Sequence, residues 1–269
     1  MQNFVQYTPT EILFGKDTQT QVGCEVKKWG GSRVFIVYGG GSVKKSGLLA
    51  QVEEALEDIS KNKSPNVVTM INTIKPYGRW EKICGKGRIL PAFPGAGGCI
   101  EGGILDAQLL PRAIQPTTFG EIGGRKSSRE EALAYIFRKS HIPYQIVPEM
   151  HHWQISHLGV IIPLADAYYQ SRHPEKICAN EKLMTLTAYR MKKNLKWIAQ
   201  KGMLCPAKLY MIKDMPTGML AGVLSRVYQS EFGNRFLYRH AMHAPEEFQR
   251  LHQEFYNYMK THTKESNKA

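Results

Sequence analysis

The 269-residue chain contains no apolar run approaching the ~18 residues that a membrane-crossing helix needs, so no membrane span is expected. Cysteines are few and odd in number: Cys24, Cys84, Cys99, Cys178 and Cys205 are scattered, and no C-x-x-C occurs. That pattern argues against a disulfide framework and against a cysteine zinc site, and makes a reducing cytoplasm the expected compartment. The opening MQNFVQYTPTEILFG has no basic segment ahead of an apolar block, so a secretory signal is not expected. Long basic runs and nucleic-acid motifs are missing too, which speaks against a nucleic-acid partner despite a formal net charge of +13. A strand followed by G-x-G-x-x-G and a helix, the fingerprint of many dinucleotide sites, is also absent.

The sequence does hold enough apolar material for a real core, 42% hydrophobic against 22% charged. Its charge is unevenly placed. Residues 1–60 carry six basic and seven acidic side chains, whereas residues 61–269 carry thirty and sixteen. So abrupt a step suggests two segments of different origin. The basic excess fits a plain basic surface, or attraction for a phosphorylated cofactor or an anionic substrate.

Periodicity divides the chain. FVQYTP and EILFG read as short strands, TQTQVGCEVKKWG as a helix, RVFIVYG as a buried strand and GLLAQVEEALEDIS as a helix. KNKSPN is a polar loop and the candidate junction. Then follow a strand (NVVTMIN), a short helix (KPYGRWEKIC), strands at RILPAFPG, GGILDAQLLP and PTTFGEIGG, and a helix at SSREEALAYIFRKSH, which Ser127 or Ser128 can cap. YQIVPEM closes this part as a strand. GAGGCI, from Gly95, is not a fingerprint: Ile100 stands where glycine is needed, and the segment reads as strand. From His151 onward four long segments carry helical spacing, with Pro163 inside the first. The expected fold is α/β: a shortened Rossmann-like nucleotide domain over residues 1–149, then an all-helical domain over 150–269.

Strand 33–38, helix 46–59 and strand 66–71 have the length of a βαβ unit, which predicts two parallel strands. If they are neighbours, Tyr38 and Ile71 end on one edge of the sheet, the edge where ligands bind. There Gly39, Gly40, Gly41 and Ser42 can offer backbone N–H groups to phosphate oxygens, with Lys44 or Lys45 adding charge. The other reading of GGGS is an ordinary strand-to-helix turn.

Two resemblances lie on these residues. NFVQYTPTEILFGK, VFIVYGGGSVKKSGL and the helix after it (residues 1–59) resemble the start of iron-containing alcohol dehydrogenases of the butanol type. In that family the loop lies against the dinucleotide, which implies a cofactor role for Gly39, Gly40, Gly41 and Ser42. Its iron ligands come from a later helical domain that has no counterpart here, so no metal site is implied. From about residue 65 to the end, NVVTMIN, RILPAFPGAGG, PTTFGEIGGR, IVPEMHHW, IIPLADAYY, CPAKLYMI, MPTGML and YRHAMHAPEEFQRLHQEF resemble the ketopantoate reductase family, closest to an atypical branch.

The second resemblance implies an NADP(H)-dependent reductase of a small 2-oxo acid or related carbonyl. Asn72 matches an asparagine that contacts substrate near the nicotinamide; otherwise it is a strand-end turn residue. Glu247 matches the acidic residue that binds the substrate hydroxyl, in a register that leaves Glu246 open; otherwise it is a surface glutamate. The family's lysine, which supplies a proton or positive charge, should follow the tryptophan of the first long helix. The segment Trp153-Gln154-Ile155-Ser156-His157 holds none. His157 could take the proton-donor role, or be purely structural. His151 and His152 are adjacent and do not share a helix face, so they do not suggest a metal. The expected partners are a small anionic substrate and, as a candidate, a second copy of the chain. The alternative functions are a non-catalytic chimeric remnant that binds a partner, and an iron-type alcohol dehydrogenase-like protein.

Overall fold

A computed structural model describes residues 34–37, 66–101 and 104–266. The two strands and the helix expected ahead of Arg33, the glycine loop with Lys44, and the helix at 46–59 lie outside the described residues. β1 (Val34–Val37), β2 (Val67–Met70) and β3 (Ile89–Phe93) are parallel neighbours. β6 (Thr117–Phe119) runs antiparallel to β3, and β7 (Tyr144–Ile146) is parallel to β6, giving the order β1-β2-β3-β6-β7. The GAGGCI segment is strand, as its alternation suggested. β4 (Ala96–Glu101) pairs with β5 (Ile104–Leu109) in a separate antiparallel hairpin.

Helix α1 (Gly78–Cys84) returns the chain from β2 to β3. Helix α2 (Ser128–Lys139) starts where its sequence says it should. The Ser127 side chain accepts from the Glu130 N–H, and Glu130 reaches back to the Ser127 N–H, a reciprocal cap. Such a cap stabilises a helix by about 1 kcal/mol. Leu133, Ala134 and Phe137 form the inward stripe of α2 and pack on Met70, Leu90, Ala92 and Phe119 of the sheet.

The helical part begins with α3 (Met150–Gln170), whose first turn is capped by the Glu149 carboxylate accepting from the His151 N–H. This helix is buried on most of its faces, which explains why its sequence is apolar nearly all round. Around it lie α4 (Glu181–Gln200), α5 (Lys208–Asp214), α6 (Thr217–Gln229), α7 (Arg239–His243) and α8 (Pro245–Ser266). Ile155, Leu158, Ile162, Leu195, Ile198, Leu251 and Phe255 are the buried centre of one continuous core. Gly159 lets α3 and α4 approach: a Cβ there would stand 2.8 Å from Ile198 Cδ1. The Tyr168 ring and the Leu183, Met184 and Met191 stripe belong to this core. Sequence periodicity did not anticipate α5, the 3-10 helix Pro174–Ala179, or the π-helical turn Asn234–Tyr238 that leads into α7. No described helix is long and apolar enough to cross a membrane.

Candidate active site

The three parallel strands fix where a site can form. Val37 lies opposite Met70, and Met70 opposite Ala92, so the chain leaves β1, β2 and β3 along one carboxyl edge. That is the rim at which open parallel sheets bind ligands, because the loops diverge there. The expected neighbourhood of the two strands is therefore present, and the chain turns off β1 beside the turn that carries Asn72.

Asn72 sits two residues beyond the end of β2. Its Oδ1 is buried and has no hydrogen-bond partner among the described residues, and neither has the buried Oγ1 of Thr69. An acceptor withdrawn from water without a partner costs about 1–3 kcal/mol, so such atoms ask for a ligand. The loop itself is firmly held. Gln154, on α3, donates from Nε2 to the Ile71 carbonyl at 2.9 Å and accepts from the Tyr77 hydroxyl at 2.6 Å. Both side chains are almost fully buried. Burial first, and the nearby Glu149 carboxylate second, push the Tyr77 phenol far above its ordinary pKa, so it stays a donor. Farther along the loop, Lys75 Nζ pairs with Glu254 of α8 at 2.9 Å.

His157 lies one turn after Trp153 on α3. The two rings stack, 5.0 Å apart and within 6° of parallel, and Phe93 at the end of β3 closes on the imidazole at 4.6 Å. Its Nε2 is buried and unpartnered among the described residues. Burial, with the charge of His240 adding to it, pushes the imidazole down to about 3. His157 is thus a neutral ring, able to donate one hydrogen bond or accept one, but not to supply the positive charge of a lysine.

Glu247 lies in the first turn of α8 and is buried, whereas Glu246 is exposed, which resolves the register between them. Glu247 Oε2 stands 4.0 Å from His240 Nε2, and the His240 ring meets Phe248 edge-on at 5.1 Å. Two contributors to this cleft were not singled out from sequence. His240 links Glu247 to His157 electrostatically, and Arg250 shares the face of α8 that bears Glu247 and Glu254, at spacings of three and four residues. Gly39, Gly40, Gly41, Ser42 and Lys44 lie outside the described residues. Among the described residues no group of three or more His, Cys, Asp or Glu could hold a metal ion. His151 lies against Tyr77 and Tyr258 instead, at 6.2 Å from each ring.

A groove of about 1100 Å³ opens elsewhere, between α3, α4 and α8, with Asp166, Arg190, Asn194, Trp197 and His252 in its lining. It shares no residue with the cleft above. Asp166 and His252 already pair there, at 2.9 Å, so its polar floor is internally satisfied.

No family model matches the chain. Among curated proteins it is similar to a probable NADH-dependent butanol dehydrogenase 2 of Bacillus subtilis, 45% identical over 58 residues, which is 22% of this chain and 15% of that one. It is also similar to the NADPH-dependent aldehyde reductase YqhD of Escherichia coli, 34% identical over 134 residues, 47% of this chain and 33% of that one. The chain thus spans a third or less of the length of these two relatives. Among solved structures, a 2-dehydropantoate 2-reductase of Geobacter metallireducens aligns over 75% of this chain and 69% of its own, with a TM-score of 0.48 and 17% identity. A D-mandelate dehydrogenase solved with NADH aligns over 86% and 76%, with a TM-score of 0.41 and 12% identity. These are the two kinds of protein, butanol-type dehydrogenase and ketopantoate reductase, whose motifs the sequence carries.

Proposed function

We propose that the chain is an oxidoreductase that uses a nicotinamide cofactor, NADP(H), to reduce a small 2-oxo acid or related carbonyl. The observation that carries this reading is the parallel pairing of β1 with β2. It brings the start of the glycine loop and the orphaned acceptors Thr69 Oγ1 and Asn72 Oδ1 to one edge of the sheet. The partial sequence likeness to NADH- and NADPH-dependent enzymes supports the same cofactor class.

In this reading Gly39–Ser42 and Lys44 hold the cofactor phosphates, and the bound nicotinamide supplies the hydride. Asn72 and Glu247 orient the carbonyl, which gains a proton as its π electrons move to oxygen. His157, neutral and boxed by Trp153 and Phe93, offers a fixed hydrogen-bonding edge. His240, partly exposed beside the Glu247 carboxylate, is the group placed to carry the proton in from solvent.

A second reading is a non-catalytic binding protein. It is favoured by Gln154, which stands where the first long helix lacks its lysine and whose amide is spent on Ile71 and Tyr77. Titrating the purified protein with NADPH and following cofactor fluorescence separates the two. Saturable binding that Gly40→Asp abolishes is the expected result. No binding at millimolar NADPH would leave only the second reading.

A further inference from the structure

The face of α8 that meets the loop after β2 carries Glu247, Arg250 and Glu254. Glu254 is tied to Lys75, three residues beyond Asn72, which fixes that face against the loop. Arg250 lies between the two carboxylates, yet its guanidinium is little used. Its NH1 approaches Glu254 at only 3.9 Å, and its Nε is buried with no hydrogen-bond partner among the described residues. Two orphaned polar atoms of opposite kind therefore flank one cleft: a buried N–H donor on α8 and a buried acceptor, Asn72 Oδ1, on the loop.

We infer that Arg250 anchors the carboxylate of the substrate, and so makes the cleft selective for 2-oxo and 2-hydroxy acids over neutral carbonyl compounds. This inference rests on the reductase reading above and names the residue that sets its substrate class. A guanidinium presents a planar fork that matches a carboxylate, and a charge-assisted hydrogen bond is about twice as strong as a neutral one. A carboxylate received by Arg250 places the neighbouring oxygen of a 2-hydroxy acid as a donor for Asn72 Oδ1. The ketone oxygen of a 2-oxo acid is an acceptor, and the Asn72 amide can present its N–H₂ side to it. A neutral aldehyde satisfies the loop but leaves the arginine without its anion. The loose contact to Glu254 suits this role, because Glu254 keeps Lys75 when Arg250 turns to the ligand.

The test uses 2-oxoisovalerate and its methyl ester as probes of the full chain, with binding followed by the intrinsic fluorescence of Trp153, which stacks on His157. NADPH titration runs in parallel. Wild type should bind the acid at least tenfold tighter than the ester. Arg250→Gln should lose about 10- to 100-fold in affinity for the acid, with ester and NADPH affinities unchanged. Arg250→Lys should recover part of the loss, because it restores charge without the fork. Equal affinity of wild type for acid and ester, no saturable acid binding, or undiminished acid binding by Arg250→Gln would each overturn the inference. Failure of wild type to bind NADPH while acid selectivity stands would instead overturn the cofactor reading alone. Near-ultraviolet circular dichroism of both variants shows that the fold is kept; a partly exposed arginine makes that the expected outcome.

Discussion

The two edges of the central sheet treat buried polar groups in opposite ways. At the amino edge of β3, Glu121, Ser127, Arg129 and Glu130 form a closed network. Arg129 grips Glu121 through Nε at 2.5 Å and again through its NH2, and donates to the carbonyls of Gly87 at 2.8 Å and Ile89 at 3.1 Å. Glu130 accepts from the Glu121 N–H at 2.9 Å, and the Ser127 hydroxyl donates to the Glu121 carboxylate. Burial pushes the Glu121 carboxyl up, but the hydrogen bonds from Arg129 and Ser127 outweigh it and hold the group below the usual carboxylate range. At the carboxyl edge the corresponding atoms, Thr69 Oγ1, Asn72 Oδ1 and His157 Nε2, are buried and unanswered among the described residues. Saturated polar groups hold a fold together; unsaturated ones cost stability and are tolerated where a ligand completes them.

Breaking the closed edge should have the largest effect. Arg129→Met leaves a buried carboxylate and two backbone carbonyls without their donor, at about 3 kcal/mol for a largely buried pair that loses one member. Urea unfolding should show that loss, with NADPH affinity in the folded protein unchanged. Unfolding curves that coincide with wild type would mean the network is decoration.

Acid should expose the cost of the open edge. His157 is neutral when folded, with its pKa pushed down to about 3, and takes up a proton in the unfolded chain near the ordinary histidine value of 6.5. A depressed folded-state pKa gives stability that is complete above pH 6.5 and is lost as pH falls toward 3. At ~1.4 kcal/mol per pH unit, the group alone removes roughly 3 kcal/mol by pH 4. The variant His157→Phe should flatten the stability profile between pH 6.5 and 4. A profile identical to wild type would show that His157 protonates in the folded state too.

How far the sequence reveals each edge follows from the range of the interactions. The cap of α2 is local: Ser127 and Glu130 are three residues apart, and the pattern predicts the contact that forms. The long helices and the strands at 67–70 and 89–93 announce themselves by period, and the parallel pairing of β1 with β2 follows from the βαβ spacing. Arg129 bonding to Gly87 and Ile89, across some forty residues, leaves no trace in either segment. The same holds at the cleft. Asn72, His157 and Glu247 could be named by resemblance, but the neutrality of His157 depends on Trp153 and Phe93 closing over it. Gln154 reads as a polar residue on a helix until Ile71 and Tyr77 meet it from more than seventy residues away. The π-helical turn before His240 has no periodic signature, so that residue could not be aimed at the site from sequence.

The smallest expected effect is the most direct reading of the open edge. Thr69→Val keeps the shape of the side chain and the β-branched preference of the strand, and removes only a hydroxyl that has no partner. Burying an unpaired hydroxyl costs about 1–3 kcal/mol in protein series, part of which a valine recovers. Stability should therefore rise by up to about 1 kcal/mol, seen as a higher urea midpoint at an unchanged slope. If the hydroxyl serves a ligand, NADPH affinity should fall in the same variant, stability gained where binding is lost. A drop in stability would mean that the hydroxyl already has a partner inside the protein, and the contrast between the two edges would disappear.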